Sequence, residues 1–102
     1  MYARVARFEG LNVAAAEATM GEADELIRPM VEALAGYGGH LELVASNGDA
    51  LSITFFESED NAEAAEQTFD QEMPQKLGQL FASWEGRRAS VDRYKVLSEE
   101  RR

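Results

Sequence analysis

"LELVASNGDALSITFF", residues 41–56, reads as two extended runs around a turn. Asn47-Gly48 is the strongest short hairpin signal, because both residues tolerate a positive φ. After it, Leu51, Ile53 and Phe55 alternate with Ala50, Ser52 and Thr54, the period of a half-buried strand. Two antiparallel strands over residues 40–46 and 50–57 follow from this pattern. It breaks at Phe56, which places an aromatic ring on the face expected to meet water. That second face should therefore meet something other than solvent: another copy of the chain, a ligand, or both.

Working outward, "YARVARFEG" (residues 2–10) mixes Tyr2, Val5 and Phe8 with Arg4 and Arg7 and stops at a glycine, which predicts a first strand. The Ala- and Glu-rich stretch that follows has the composition of a helix and ends at Gly36. Thr19 and Glu22 have capping-box spacing, so the main helix is expected to start there, with residues 11–18 a loop or short turn. Ala23, Leu26, Ile27, Met30 and Leu34 would form its buried stripe, and Pro29 predicts a kink or break. "GYGGH" reads as a flexible lead into the hairpin. Beyond the hairpin, Ser58 can cap a helix with Glu59 and Asp60 in its first turn. Ala62, Ala65, Phe69 and Met73 carry its stripe to Pro74, and Leu77, Leu80, Phe81 and Trp84 resume it, so a broken helix is expected up to Gly86. "RRASVDRYKVL" supplies the last strand.

The order βαββαβ is a split βαβ arrangement: an α+β, ferredoxin-like unit whose four-stranded antiparallel sheet carries both helices on one face. Residues 1–97 are expected to form this single domain, and 98–102 a charged tail. A chain of 102 residues with 45% hydrophobic content suits one core. A formal charge of −9 is a poor basis for gripping phosphate backbones, so nucleic acid is disfavoured. The absence of cysteine excludes thiolate chemistry and fits a reducing compartment. With no signal-peptide core and no run approaching a membrane span, a cytoplasmic location is expected.

Two helices cover one sheet face, yet apolar residues fall on both. Phe56 stands on the supposed outside, Val44 is out of phase with Leu41 and Leu43, and Val91 opposes Tyr94 and Val96. A self-complementary dimer packed sheet to sheet would cover that face, with Val44, Tyr94 and Val96 as interface candidates. The plainer alternative is scattered surface hydrophobes or a bulge that shifts the phase.

"ALSITFFESED" running into an Ala/Glu-rich helix, the mid-helix "RPMVEAL" and the closing "SVDRYKVL" resemble the antibiotic biosynthesis monooxygenase-like group of dimeric α+β barrels, across nearly the whole chain. The resemblance implies a homodimer with two sheets forming a barrel and, in many members, a pocket between sheet and helices. Its activities include cofactor-free oxygenation, haem degradation and isomerisation. Haem-degrading members carry a Trp at the end of the third strand, a His in the next helix and an Asn in the first strand. Here Phe56 stands at the Trp position, residues 59–73 contain no His, and Arg7 lies near the Asn position. Haem chemistry is thereby disfavoured and no cofactor is expected. Cofactor-free oxidation of a phenolic or polyketide-like compound is the enzymatic reading, although Phe56 again replaces an expected Trp. The alternative is a non-catalytic dimer of the stress-response type.

The chain's only histidine, His40, suits acid–base work, or is a solvated strand-edge residue. Arg7 is the other catalytic candidate. Arg4 and Arg7 occupy opposite faces of the first strand, so one could hold an anionic ligand or a carboxylate such as Glu42 or Asp92. Phe56, Phe69, Phe81 and Trp84 are candidates for the wall of a pocket for a planar ligand, or are core. Glu63, Glu66 and Asp70 share a helical face more suited to solvent than to a metal, and no second His or Cys exists to build one. "GYGG" precedes a strand, so it offers no helix N-terminus to phosphate.

Overall fold

The computed structural model describes residues 1–101. Four strands, β1 (Tyr2–Glu9), β2 (Tyr37–Val44), β3 (Ala50–Phe56) and β4 (Arg87–Lys95), form one antiparallel sheet in the order β2-β3-β1-β4. The helices are α1 (Val13–Glu32), α2 (Glu59–Ala64) and α3 (Met73–Trp84), with a π-turn over Thr68–Glu72 joining the last two. The α+β ferredoxin-like order read from the sequence is the observed one. Of the tail expected over residues 98–102, Arg102 lies outside the described residues.

Helix α1 starts six residues before Thr19. Asn12 is its cap, Oδ1 accepting from the Ala15 N–H at 3.0 Å. The expected capping box is not used, because the alanine-rich run from Val13 has high helix propensity and Asn12 already supplies a cap. Asn12 also ties the start of α1 to the end of α3: its N–H donates to the Trp84 carbonyl and its Nδ2 to Glu85. Thr19, now mid-helix, donates to the Ala15 carbonyl and accepts from the Trp84 indole N–H at 2.7 Å. Pro29 does not break α1, which ends three residues later at Glu32. The N–H missing at Pro29 leaves the Glu25 carbonyl without its usual donor, one bond of a twenty-residue helix. Leu26 is turned out to solvent, and Ala16, Ala23 and Val31 carry the buried stripe.

The second helical region is broken, but ahead of Pro74 rather than at it: α2 ends at Ala64 and a π-turn over Thr68–Glu72 precedes α3. Ser58 caps α2 by accepting from the Asn61 N–H. The chain then widens into the π-turn before Pro74, which sits in the first turn of α3 where its missing N–H costs nothing. Glu85, in the left-handed region at φ 63°, closes α3 just ahead of Gly86.

The hairpin forms where expected, but over a longer connection. Only Gly48 of the Asn-Gly pair takes a positive φ (93°), and the turn spans Ala45 to Asp49, closed by the Ala45 N–H on the Asp49 carbonyl. "GYGGH" is not a flexible lead: from Tyr37 on it is the start of β2, with a register shift between Tyr37 and His40. Tyr37 pairs with Phe56 and His40 with Thr54, so three steps on β2 match two on β3.

Helix α2 lies directly on β1 and β3, whereas α1 and α3 pack chiefly on each other, around Val31, Met73 and Leu77. Among the described residues no helix is long and apolar enough to cross a membrane.

Candidate functional site

Register assigns every strand residue to a face. On the helix side, Arg4 lies between Thr54 and Arg93, Ala6 between Ser52 and Val91, and His40 and Glu42 extend these two rows onto β2. On the other side lie Val5, Leu41, Leu43, Leu51, Ile53, Phe55 and Tyr94, with Ala3 buried between Phe55 and Tyr94. The apolar alternation of β3 therefore points away from the helices, and its polar members point toward them. Phe56 is the exception at the end of the strand. It is wholly buried against Ala62 and Ala65 of the α2 segment.

This overturns two expectations about facing. Phe56 is not on the open side and does not line a cavity, because the helices cover the even-numbered face of β3 rather than the odd one. Val44 shares the helix side with His40 and Glu42, so it is not on the open face. Tyr94 is on the open face and more than half exposed, and Val96 follows it two residues on, its N–H bonded to the Met1 carbonyl.

With small and polar residues as its floor, the sheet does not fill the space beneath α1 and α3. A hollow of about 420 Å³ remains. Its floor is Arg4, Ala6, Phe8, His40, Glu42, Ser52 and Thr54; Met20, Asp24, Ile27, Phe69, Phe81 and Trp84 wall it from the helices. A second space of about 300 Å³ continues it toward the hairpin end, sharing Phe8, Met20, Glu42, Ser52, Phe81 and Trp84. Phe81 and Trp84 stand with ring centroids 5.2 Å apart. Three of the four aromatic candidates thus lie along one hollow, and the hydrogen bond from Trp84 to Thr19 fixes the indole there.

Arg4, not Arg7, is the inward arginine. It is 2% exposed, makes a two-pronged pair with Glu66 (2.8 and 3.2 Å) and stacks on the Phe69 ring at 4.0 Å. Its partner is a helix carboxylate rather than Glu42 or Asp92. Arg7 projects from the open face and pairs with Glu9 at 3.1 Å. The acidic stripe Glu63, Glu66 and Asp70 is largely solvated, with Glu63 and Asp70 exposed and Glu66 half-buried. Each member meets an arginine of the sheet: Arg93 at 3.7 Å, Arg4 at 2.8 Å and Arg88 at 2.6 Å.

At the β2 edge the extra residue at Gly38-Gly39 turns Tyr37 and His40 to the same face, where the Tyr37 hydroxyl and His40 Nδ1 meet at 2.6 Å. His40 Nε2 looks toward Asp24 Oδ1 at 3.6 Å, too long for a hydrogen bond. Burial pushes the Tyr37 phenol up, and Glu32 adds to it. Glu42, two residues along on the same face, accepts from Ser52 Oγ at 2.9 Å. Loss of water raises its carboxyl to about 7; the Ser52 hydrogen bond opposes this and Asp24 adds to it. Water still reaches the exposed residue from the open edge of β2, so the direction of the shift, more than its full extent, governs the chemistry.

The sequence reading missed Glu42 as a floor residue and Tyr37 as the partner of His40. Paired glycines inside a strand-like run were the available signal of a bulge.

No protein-family model matches the chain, and no curated protein matches it. Among solved structures, the crystal structure of a dimeric ferredoxin-like protein from an uncultured marine organism aligns with a TM-score of 0.71 at 15% identity, covering 99% of this chain and 98% of that one. At that identity the likeness establishes the ferredoxin-like fold, and not the antibiotic biosynthesis monooxygenase-like family in particular.

Proposed function

We propose that this protein is a cytoplasmic homodimeric α+β barrel, built from residues 1–97, that holds a small, planar phenolic or polyketide-like compound between its sheet and helices. One observation carries the reading: the sheet turns mostly small and polar residues to the helices and most of its large aliphatic ones away from them. An isolated subunit gains nothing from that inversion. It leaves Leu41, Leu43 and Tyr94 partly in water, each forfeiting a share of the roughly 1.5–3 kcal/mol that full burial of a large apolar side chain gives. A second sheet packed on the first recovers that energy, and the solved neighbour of the same fold is described as dimeric. The covered side meanwhile keeps a hollow within the roughly 300–1,000 Å³ range of ligand sites, apolar in its walls and polar at a few floor positions. Cofactor-free oxidation, which the sequence resemblance implies, would begin from the anion that acid–base groups on such a floor generate.

The chain's single tryptophan, Trp84, lines the hollow and reports on it. Titration with 1-naphthol, 2-naphthol and a hydroxynaphthoquinone should quench its fluorescence saturably and raise the melting temperature, by mass action on the folded state. If all three leave both signals unchanged, the non-catalytic dimer becomes the better reading.

A further inference from the structure

The polar groups of the floor are arranged for more than holding a ligand. On the proposal that the hollow takes a planar aromatic compound rests a second step: we propose that Glu42 and His40 form an acid–base pair catalysing proton shifts in an enolisable ketone bound beside them. Glu42 is the base and His40 the donor to the carbonyl oxygen.

The roles follow from placement. Residues two apart on one strand face are neighbours, roughly 7 Å apart, a spacing that lets a carbonyl and its α-carbon lie between them. Both side chains border the hollow. In the proposed tautomer the Tyr37 hydroxyl, 2.6 Å from His40 Nδ1, donates to it, which puts the ring hydrogen on Nε2. That N–H is not consumed by Asp24, which stands 3.6 Å away and is already paired with Arg28. A carboxylate pushed upward is a stronger base than an unperturbed one, here as far as water at the open edge of β2 allows.

In the reaction, the Glu42 carboxylate takes the proton from the carbon next to the carbonyl. The C–H electron pair becomes the C=C bond of an enolate, and the carbonyl pair moves onto oxygen, which Nε2–H holds by a hydrogen bond. Glu42 then returns the proton to the same carbon or to the end of the conjugated system. The net change is an isomerisation or exchange that requires no oxidant. Tyr37 is a positioning residue. The other charged groups that border the hollow are Asp24 from α1, Asp70 from the π-turn, and Arg4 and Arg88 from the sheet. Both arginines are paired with carboxylates, and Asp24 adds to the negative field that holds a proton on Glu42.

The test uses 2-tetralone, an aryl-fused ketone with acidic α-hydrogens, and 2-naphthol, which is of similar size and has none. Deuterium uptake by 2-tetralone in heavy water is followed by NMR, and binding of both compounds by Trp84 fluorescence. The intact protein should accelerate uptake, with a rate rising through a group titrating near neutrality. E42Q should lower the acceleration about 100-fold and abolish that titration while still binding 2-naphthol. His40→Gln should lower it about tenfold, and Tyr37→Phe less, with its effect in rate rather than in binding. Melting curves establish that each variant folds. Binding of 2-naphthol without accelerated uptake, or with an acceleration that E42Q keeps, overturns the acid–base pair and leaves the ligand pocket standing. Failure to bind either compound overturns both.

Discussion

The two faces of this sheet are built from interleaved residues of the same four strands, and they have opposite chemistry. Ser52 and Thr54 face the helices, while Leu51, Ile53 and Phe55 face the side that no helix covers, where the Arg101 guanidinium lies 5.4 Å over the Phe55 ring. In an ordinary half-covered antiparallel sheet the apolar set lies under the helices and the polar set in water. Reversing the two loosens the helix layer, because the floor beneath α1 and α3 is mostly small and polar. In the proposed dimer a second copy would cover the open face, so that a hollow and an interface would have one cause. Only under α2, where Phe56 rises from the covered face, does the conventional arrangement hold.

The most damaging change to this contrast is a charge on the open face. Ile53→Asp enters a twofold interface twice, so it should remove roughly 3–6 kcal/mol of association and give a monomer by sedimentation. Ser52→Asp, one residue away, should leave the dimer intact and weaken quenching of Trp84 by 2-naphthol. If Ile53→Asp remains dimeric, the open face is not the interface, and the cause proposed for the inversion is gone.

Phe56→Ala comes next. The ring is fully buried against Ala62 and Ala65, so its loss should cost about 3–5 kcal/mol of stability measured by urea unfolding, with no change in oligomeric state at matched folded concentration. A dimer that dissociates before the subunit loosens would return Phe56 to the open face, where its place in the alternation first suggested it.

That misplacement shows what a sequence can carry. Element order was legible from periodicity and punctuation: the Asn-Gly turn, the Ser58 cap and the stripe through Phe69 and Leu77 all acted locally. Facing was not, because alternation states that two faces differ and is silent on which one the helices choose. The strong hydrophobic set Leu51, Ile53 and Phe55 looked like core by any single-subunit argument. Thr19 was misread for a related reason. Its spacing to Glu22 is that of a cap, but Asn12 and six helix-forming residues precede it, and its hydroxyl serves Trp84 instead. Of the candidate site, the aromatic walls were visible, while the pairing of Arg4 with Glu66 spans 62 residues and needs the tertiary fold.

That pair supplies a smaller test of the covered face. Arg4 is buried, and removing its partner by Glu66→Ala strands a charge beneath the helices, which should cost about 3 kcal/mol. Glu63→Ala breaks an exposed contact to Arg93 and should cost under about 1 kcal/mol. Equal effects of the two would mean that water reaches both alike, and that the covered face is no drier than the helix surface.

The mildest effect is on pH. Glu42 in the folded protein holds its proton up to about 7, against 4.5 for the free side chain, chiefly because burial strips water from the carboxylate. A folded state that binds the proton more tightly than the unfolded state is stabilised while both are protonated. Its advantage shrinks as pH rises from about 4.5, and is lost once pH passes the folded value. The difference in unfolding free energy between the native chain and E42Q, measured in urea at half-unit steps from pH 4.5 to 8, should therefore fall steadily and flatten above about 7. Its size will be less than a full desolvation would give, since β2 is an edge strand and water enters there. A difference that stays level across the window would place the carboxyl in bulk solvent. The floor of the hollow would then be open at its β2 edge, and the two faces of the sheet would differ in shape but not in dryness.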